Sequence, residues 1–323
     1  MTAPGVVDVT TVDDPGADPR CVVVAVAATG ICGTDLHISR GEIAALPVVP
    51  GHEIAGTIVA VGDGVSGLSV GDRVAIDPNL PCQACRSCRA GRQNLCESLE
   101  AIGVTMAGGA AQFVPAPAAN CYLLPEGIDL TAAALIEPLS CAVHAFDVIH
   151  VRLGASVLVY GAGTMGLMLT QLAASAGAAQ VDVVEVVAVR RAVAADLGVG
   201  VAAGSADDLD RPDGWDVVID ATGAIAAIRD AITRVATGGV YLQFGVSSPD
   251  AETTWRPFDI YRREITITGA MAVHASFGRA VDLLARGAID PSLYITRRAP
   301  LDDYADALAG FAQGNGRKTL VLP

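Results

Sequence analysis

The stretch VLVYGAGTMGLMLTQLAASAG (157–177) sets the terms for the rest of the chain. VLVY has the apolar, β-branched character of a buried strand, and TMGLMLTQLAASAG has the composition of a helix. Between them Gly161, Gly163 and Gly166 stand in G-x-G-x-x-G order, with Thr164 and Met165 opening the helix. The first glycine makes a tight turn, the second lets backbone approach a pyrophosphate, and the third lets helix pack on strand. The helix start adds free N–H groups and a partial positive charge for the phosphates. Residues 155–181 carry no charge, so a membrane span of about 20 residues has to be weighed. The glycines, with Thr164, Gln171 and Ser175, divide the segment into strand, turn and helix instead.

Downstream the alternation repeats. VDVVE is followed by RRAVAADLG and WDVVIDATG by AAIRDAITRVA, while GGVYLQFG and EITITGAM add two strands. Such alternation implies a parallel sheet wrapped by right-handed crossovers, an α/β fold. Glu185 ends the second strand, nineteen residues after Gly166. An acidic side chain there accepts hydrogen bonds from a ribose 2′-OH and repels a 2′-phosphate, which favours NAD over NADP. Arg190 and Arg191 follow closely and soften that preference if they reach the phosphate; as solvated helix residues they do not. Asp220 and Thr222, in IDATG, close the strand expected under the nicotinamide half, where structural packing is an equal reading for Asp220.

Upstream the texture differs. To about Leu124 the chain is rich in Gly, Pro and Val, and short runs (VVVAVAA, EIAGTIVAVG, VAIDP, AQFVPAP) are split by turn signals, the pattern of a barrel-like β body. ALIEPLSCAVHAFDVI reads as helical on both sides of Pro138. The tail offers one amphipathic helix (SFGRAVDLLARGA), an acidic helix (LDDYADALAGFAQG) and a closing strand (KTLVLP), which can pack back on the first body and make it discontinuous. Of 323 residues 52% are hydrophobic and 17% charged, enough for a sizeable core. The net charge of −14 repels nucleic acid and anionic membrane surfaces. No basic segment precedes the apolar run CVVVAVAA (21–28), so no signal peptide is expected and the expected location is cytoplasmic. There, eight cysteines point to metal ligation rather than disulfides.

Four of them, Cys82, Cys85, Cys88 and Cys96, fall in CQACRSCRAGRQNLC (82–96). Four thiolates make a closed tetrahedral shell for zinc, with no position for substrate, so the cluster reads as a staple for a loop without its own core. A zinc-ribbon nucleic-acid module and a disulfide pair are the alternatives; the x7 spacing, the acidic chain and the compartment weigh against them. A second set is quieter: Cys32 in GICGTDLH and the pair His52–Glu53 in VVPGHEIAG. One thiolate, one imidazole and one carboxylate make three protein ligands, the count that leaves a fourth position open. Singly, each also reads as a core cysteine, a satisfied histidine and a surface charge.

GHEIAGTIVAVG (51–62) with GDRV (71–74) resembles the zinc-containing alcohol dehydrogenase signature of the medium-chain dehydrogenase/reductase superfamily. CGTDLH, the four-cysteine loop and GAGTMG are similar to that family in the same order, and LIEPLSCAVHAF (135–146) resembles its polyol, sorbitol-type branch. The resemblance covers nearly the whole chain. It implies a GroES-like catalytic domain over residues 1–140 and 273–323, carrying the zinc lobe 82–96, and a Rossmann coenzyme domain over 141–272.

It further implies Cys32, His52 and Glu53 as ligands of a catalytic zinc. Glu137 would be the branch's second carboxylate, reaching that metal directly or through water. Asp35 would accept a hydrogen bond from the His52 ring, Thr34 would contact the substrate hydroxyl, and His37 would end a proton relay through the cofactor ribose. Gly33 departs from members with a basic residue there. The implied reaction is oxidation of a secondary alcohol, in this branch a polyol, with hydride transfer to NAD. A threonine-type or amino-alcohol dehydrogenase shares these motifs, and a non-catalytic cofactor-binding protein is the alternative of another class. EITITGAM is an alternating strand suited to pairing across a two-fold, so a homodimer or homotetramer is expected.

Overall fold

CVVVAVAATG, almost all Val and Ala, becomes the strand to which three others pair. In the computed structural model, which describes residues 1–43, 45–198, 200–314 and 316–323, this run is β1 (Cys21–Gly30). It is followed by β2 (Glu53–Val61), β3 (Arg73–Ile76), β4 (Asn79–Leu80), β5 (Glu100–Ala101), β6 (Phe113–Pro117) and β7 (Cys121–Leu123). Next come β8 (Ser156–Tyr160), β9 (Gln180–Val184), β10 (Ala202–Ala203), β11 (Trp215–Asp220), β12 (Val235–Gln243) and β13 (Thr266–Gly269). The last two are β14 (Ile295–Pro300) and β15 (Lys318–Leu322).

The chain divides into two units, Met1–Ser140 with Val273–Pro323, and Cys141–Ala272. In the first, one sheet runs β14-β15-β1-β2-β3-β7, with β6 on β1. Alternate residues of its strands point inward, so Val22, Val24, Ile54, Ile58, Val74, Ile76 and Val114 form one buried cluster. Each such side chain contributes roughly 1.5–3 kcal/mol on leaving water. The tail supplies β15, which pairs antiparallel with β1: Gly30 lies opposite Leu320 on one side and Glu53 on the other.

The second unit holds a six-stranded parallel sheet in the order β10-β9-β8-β11-β12-β13. This is a doubly wound order whose switch point lies between β8 and β11, where ligands bind at the carboxyl ends of the strands. Its core gathers Leu158, Trp215, Val218, Val235 and Tyr241. The buried Trp215 satisfies its indole N–H on Asp182 Oδ2 at 2.8 Å. The uncharged stretch 155–181 becomes β8, the helix Thr164–Ser175 and the start of β9. Among the described residues no helix is long and apolar enough to cross a membrane. Gly166 lets helix close on strand as the third glycine of the turn should, since a Cβ there would stand 1.9 Å from the Gly161 carbonyl oxygen.

One boundary differs from the sequence reading. AAIRDAITRVA is not one helix; it ends at Ala231, a 3-10 turn covers Ile232–Arg234, and Val235 opens β12. Pairing of Val235 with Trp215 in a buried register outweighs the local helical pattern. The segment around Pro138 is a single helix, Ile136–Ile149, because Pro138 sits in the first turn, where its missing N–H leaves no hydrogen bond unmade.

Candidate metal and cofactor sites

β1 ends at Gly30, and the chain turns through the buried Ile31 into the helix Gly33–Ser39. Cys32 caps that helix, and Asp35 Oδ2 accepts its backbone N–H at 2.8 Å. His52 stands just ahead of β2 and Glu53 is its first residue. The antiparallel register therefore brings Gly30, two residues before Cys32, opposite Glu53, the residue next to His52. One ligand atom each from Cys32, His52 and Glu53 lie within 4.8 Å of one another. Bare backbone at Gly30 is required for this, since a Cβ there would fall 1.8 Å from Glu53 Oε2.

Asp35, His52, Glu53 and Glu137 are all buried, as is the Lys318 side chain. The Lys318 ammonium donates to Glu53 Oε1 at 2.5 Å and to the Ile31 carbonyl at 3.0 Å. Glu53 Oε2, His52 Nδ1, Asp35 Oδ1 and the Tyr304 hydroxyl have no hydrogen-bond partner among the described residues. Burial works against charge on His52, yet the Cys32 thiol, then Asp35 and Glu137, outweigh it and hold the imidazole at about 10. Burial pushes Asp35 up. Burial, reinforced by Asp35, Cys32 and Glu53, holds the Tyr304 phenol well above its ordinary range. A site that drives its imidazole to take a proton is short of positive charge. With three converging soft and hard donors and orphaned lone pairs, it fits zinc with one position open.

The other expected residues fall as follows. Thr34 Oγ1 is 3.9 Å from Cys32 Sγ. His37 Nδ1 is 2.5 Å from Glu42 Oε2, a partner that sequence reasoning missed. The expected hydrogen bond from His52 to Asp35 is not made: Nδ1 and Oδ1 are 3.9 Å apart, because the carboxylate is turned to cap the Cys32 amide. Glu137 lies in the first turn of its helix, and its charge acts on His52 and Lys318, but it is not in the converging trio.

The second cluster is complete in itself. Ligand atoms of Cys82, Cys85, Cys88 and Cys96 lie within 4.8 Å of one another, and none is in a disulfide. Backbone N–H groups point at the sulfurs: Cys85 to Cys82 Sγ at 3.3 Å, Cys88 to Cys85 Sγ at 3.4 Å, and Cys82 to Cys96 Sγ at 3.3 Å. The amides of Cys88 and Glu97 draw the Cys85 thiol down to about 6, which favours the thiolate a metal needs. This donor set fits a four-coordinate zinc.

In the second unit a cavity of about 630 Å³ brings together Gly161, Gly163, Glu185, Arg190 and Thr222. Thr164, Met165 and Gly166 form the first turn of the helix behind it. Glu185 is held rigidly: Oε2 accepts the Ala162 N–H at 2.7 Å and Oε1 the Val187 N–H at 2.8 Å. Arg191 is not in the lining; it donates to the Glu185 carbonyl. Asp220 is structural, its carboxylate taken up by Thr222, Gly223 and Gln243.

Residues 18–126 match the family described as Alcohol dehydrogenase GroES-like domain, and residues 164–286 match that described as Zinc-binding dehydrogenase. The chain is 38% identical to D-arabinitol dehydrogenase 1 of Uromyces fabae, over 96% of its length and 92% of the relative's. It is also 38% identical to D-altritol 5-dehydrogenase of Agrobacterium fabrum, over 90% of its length and 88% of the relative's. The chain belongs to the zinc-binding alcohol dehydrogenase family. A crystal structure of a zinc-binding dehydrogenase from Sinorhizobium meliloti 1021, bound to NADP, matches this dehydrogenase with a TM-score of 0.95 at 34% identity, covering 99% of one chain and 97% of the other. The dehydrogenase also places Lys318 on Glu53 and buries Tyr304 where the charges of Cys32 and Glu53 act on it, residues that lie in tail segments read from sequence only as a closing strand and an acidic helix.

Proposed function

We propose that this dehydrogenase oxidises a secondary hydroxyl of a sugar alcohol to the ketone and passes the hydride to NAD. The observation that carries the reading is the buried, electron-rich trio of Cys32, His52 and Glu53. Resemblance to polyol-acting relatives supports the substrate class. Cys32, His52 and Glu53 would hold a catalytic zinc with one position open, Glu137 would add a nearby negative charge, and Cys82, Cys85, Cys88 and Cys96 would hold a closed one. The catalytic zinc, when bound, supplies Lewis-acid polarisation of the carbinol oxygen, so that its proton leaves near neutral pH. Thr34 Oγ1, beside the thiol, would accept the hydroxyl proton as its own proton moves on toward His37. His37, with Nδ1 turned to Glu42, has Nε2 left to accept that proton for delivery to solvent. Asp35 keeps Cys32 in place through its amide.

For the cofactor, Gly161 and Gly163 give the pyrophosphate close access to backbone, and Glu185 supports NAD over NADP. Its carboxylate, fixed by two amides, keeps lone pairs for the ribose hydroxyls and repels a 2′-phosphate. Glu185→Ser should shift the ratio of kcat/KM values toward NADP by about ten- to a hundredfold; an unchanged ratio removes Glu185 as the selector. The edge position of β13 supports assembly as a homodimer or homotetramer, and the chain's acidity supports a role without nucleic acid. The deciding test is a panel of five- and six-carbon sugar alcohols, L-threonine and simple secondary alcohols with NAD. Polyols should be oxidised with the highest kcat/KM; preference for threonine or a simple alcohol overturns the substrate class.

A further inference from the structure

Of the 21 lysines and arginines in the chain, one is a lysine. It is Lys318, and it lies at the metal trio, 3% exposed. Three adjacent strands deliver it there. Gly30 of β1 sits between Glu53 of β2 and Leu320 of β15, and the Ile31 N–H donates to the Thr319 carbonyl at 2.9 Å. The ammonium thus bonds the backbone immediately before Cys32 and the carboxylate immediately after His52. Arginine stands at the other 20 of these positions; here the cation is a compact point charge rather than a planar guanidinium. Lys318 occupies one carboxylate oxygen of Glu53, and the other, Oε2, is buried with no hydrogen-bond partner among the described residues.

We propose that Lys318 is a positioning residue of the metal site: a fixed counter-cation that engages Glu53 Oε1, leaves Oε2 for the metal, and balances this carboxylate whenever the metal is away. The proposal rests on the metal reading above. A buried carboxylate without a cation is a costly arrangement, whereas one with a cation on each oxygen tolerates losing either. Lys318 therefore matters most to the metal-depleted protein.

The experiment compares wild type, Lys318→Met, Glu53→Gln and the double variant, each with zinc loaded and after a chelator has removed the exchangeable ion. Zinc counts come first. Two ions per wild-type chain and one per Cys32→Ser chain establish the metal reading; one in both overturns that reading and this proposal with it. With the site established, Lys318→Met should lower the melting temperature of the depleted protein by about 10 °C and that of the loaded protein by less than half as much. In the Glu53→Gln background the same substitution should cost the depleted protein little. Equal losses in both metal states, or an undiminished loss in the Glu53→Gln background, mean ordinary packing and overturn the proposal. If Lys318→Met does not accumulate as soluble protein, a soluble double variant supports the proposal and an insoluble one overturns it.

Discussion

Replacing Cys32 by serine, or His52 by alanine, should leave less than about a thousandth of wild-type turnover, a loss of about 4 kcal/mol of transition-state stabilisation. The size follows from the type of chemistry. A carbinol hydride leaves readily only as the oxygen gives up its proton, and at neutral pH that requires an electrophile beside it. The trio is the place in the first unit where a thiol, an imidazole and a carboxylate converge with orphaned lone pairs. Removal of one donor leaves two, too few to retain the ion against solvent. The glycine turn, Glu185 and Arg190 all lie within Cys141–Ala272, so NAD affinity should stay within about twofold, a small fraction of the catalytic loss. Steady-state rates beside a calorimetric titration with NAD check both halves. Retained turnover overturns the metal mechanism; lost NAD affinity shows that the substitution damaged more than the trio.

Replacing Cys85 by serine should act in the opposite way, lowering the melting temperature by about 10 °C or more while the folded enzyme keeps its rate within about threefold. The lobe has little else to hold it. Between Cys82 and Cys96 only Cys88 and Asn94 are buried, Leu95 is 46% exposed, and the helical pieces Arg86–Arg89 and Gln93–Leu95 are a single turn each. Such a segment cannot hold its conformation through apolar burial, and four thiols drawn together supply the missing constraint. Differential scanning calorimetry with zinc analysis checks it. A variant that loses rate but not melting temperature would transfer the four cysteines from a structural to a catalytic role.

What could be read in advance follows the range of the interactions involved. The glycine turn is local: one strand, three glycines and a helix start within a single window carry the whole argument, and the parallel sheet follows by repetition. The four-cysteine lobe is local too. Glu53 is intermediate, since one residue of spacing separates it from His52 but only the sheet register brings it to Cys32. Lys318 was out of reach, 265 residues from the carboxylate it bonds, and a lysine opening a strand carries no signal of its destination. Its solitude among the basic residues was the clue available in composition. The Asp35 geometry was illegible for another reason: a capping interaction three residues back competes with the histidine for the same carboxylate, and spacing cannot rank the two. The start of β12 at Val235 likewise belongs to pairing with Trp215, which no local window contains.

The junction of β1 with β15 has a bearing on biosynthesis. The Ile31 carbonyl and the Lys318 ammonium that meets it are 287 positions apart, and the whole of Cys141–Ala272 is threaded between them. On a translating ribosome that inserted segment has all its own strands before β14 and β15 emerge, so it can mature while the earlier unit still waits with the Thr29–Gly30 end of β1 unpaired on the flank that β15 covers. Because an already folded insert shortens the effective loop, the entropic penalty of closure grows far less than the count of intervening residues suggests. The nascent chain thus acquires its cofactor cradle early and its buried cation among the last parts to arrive.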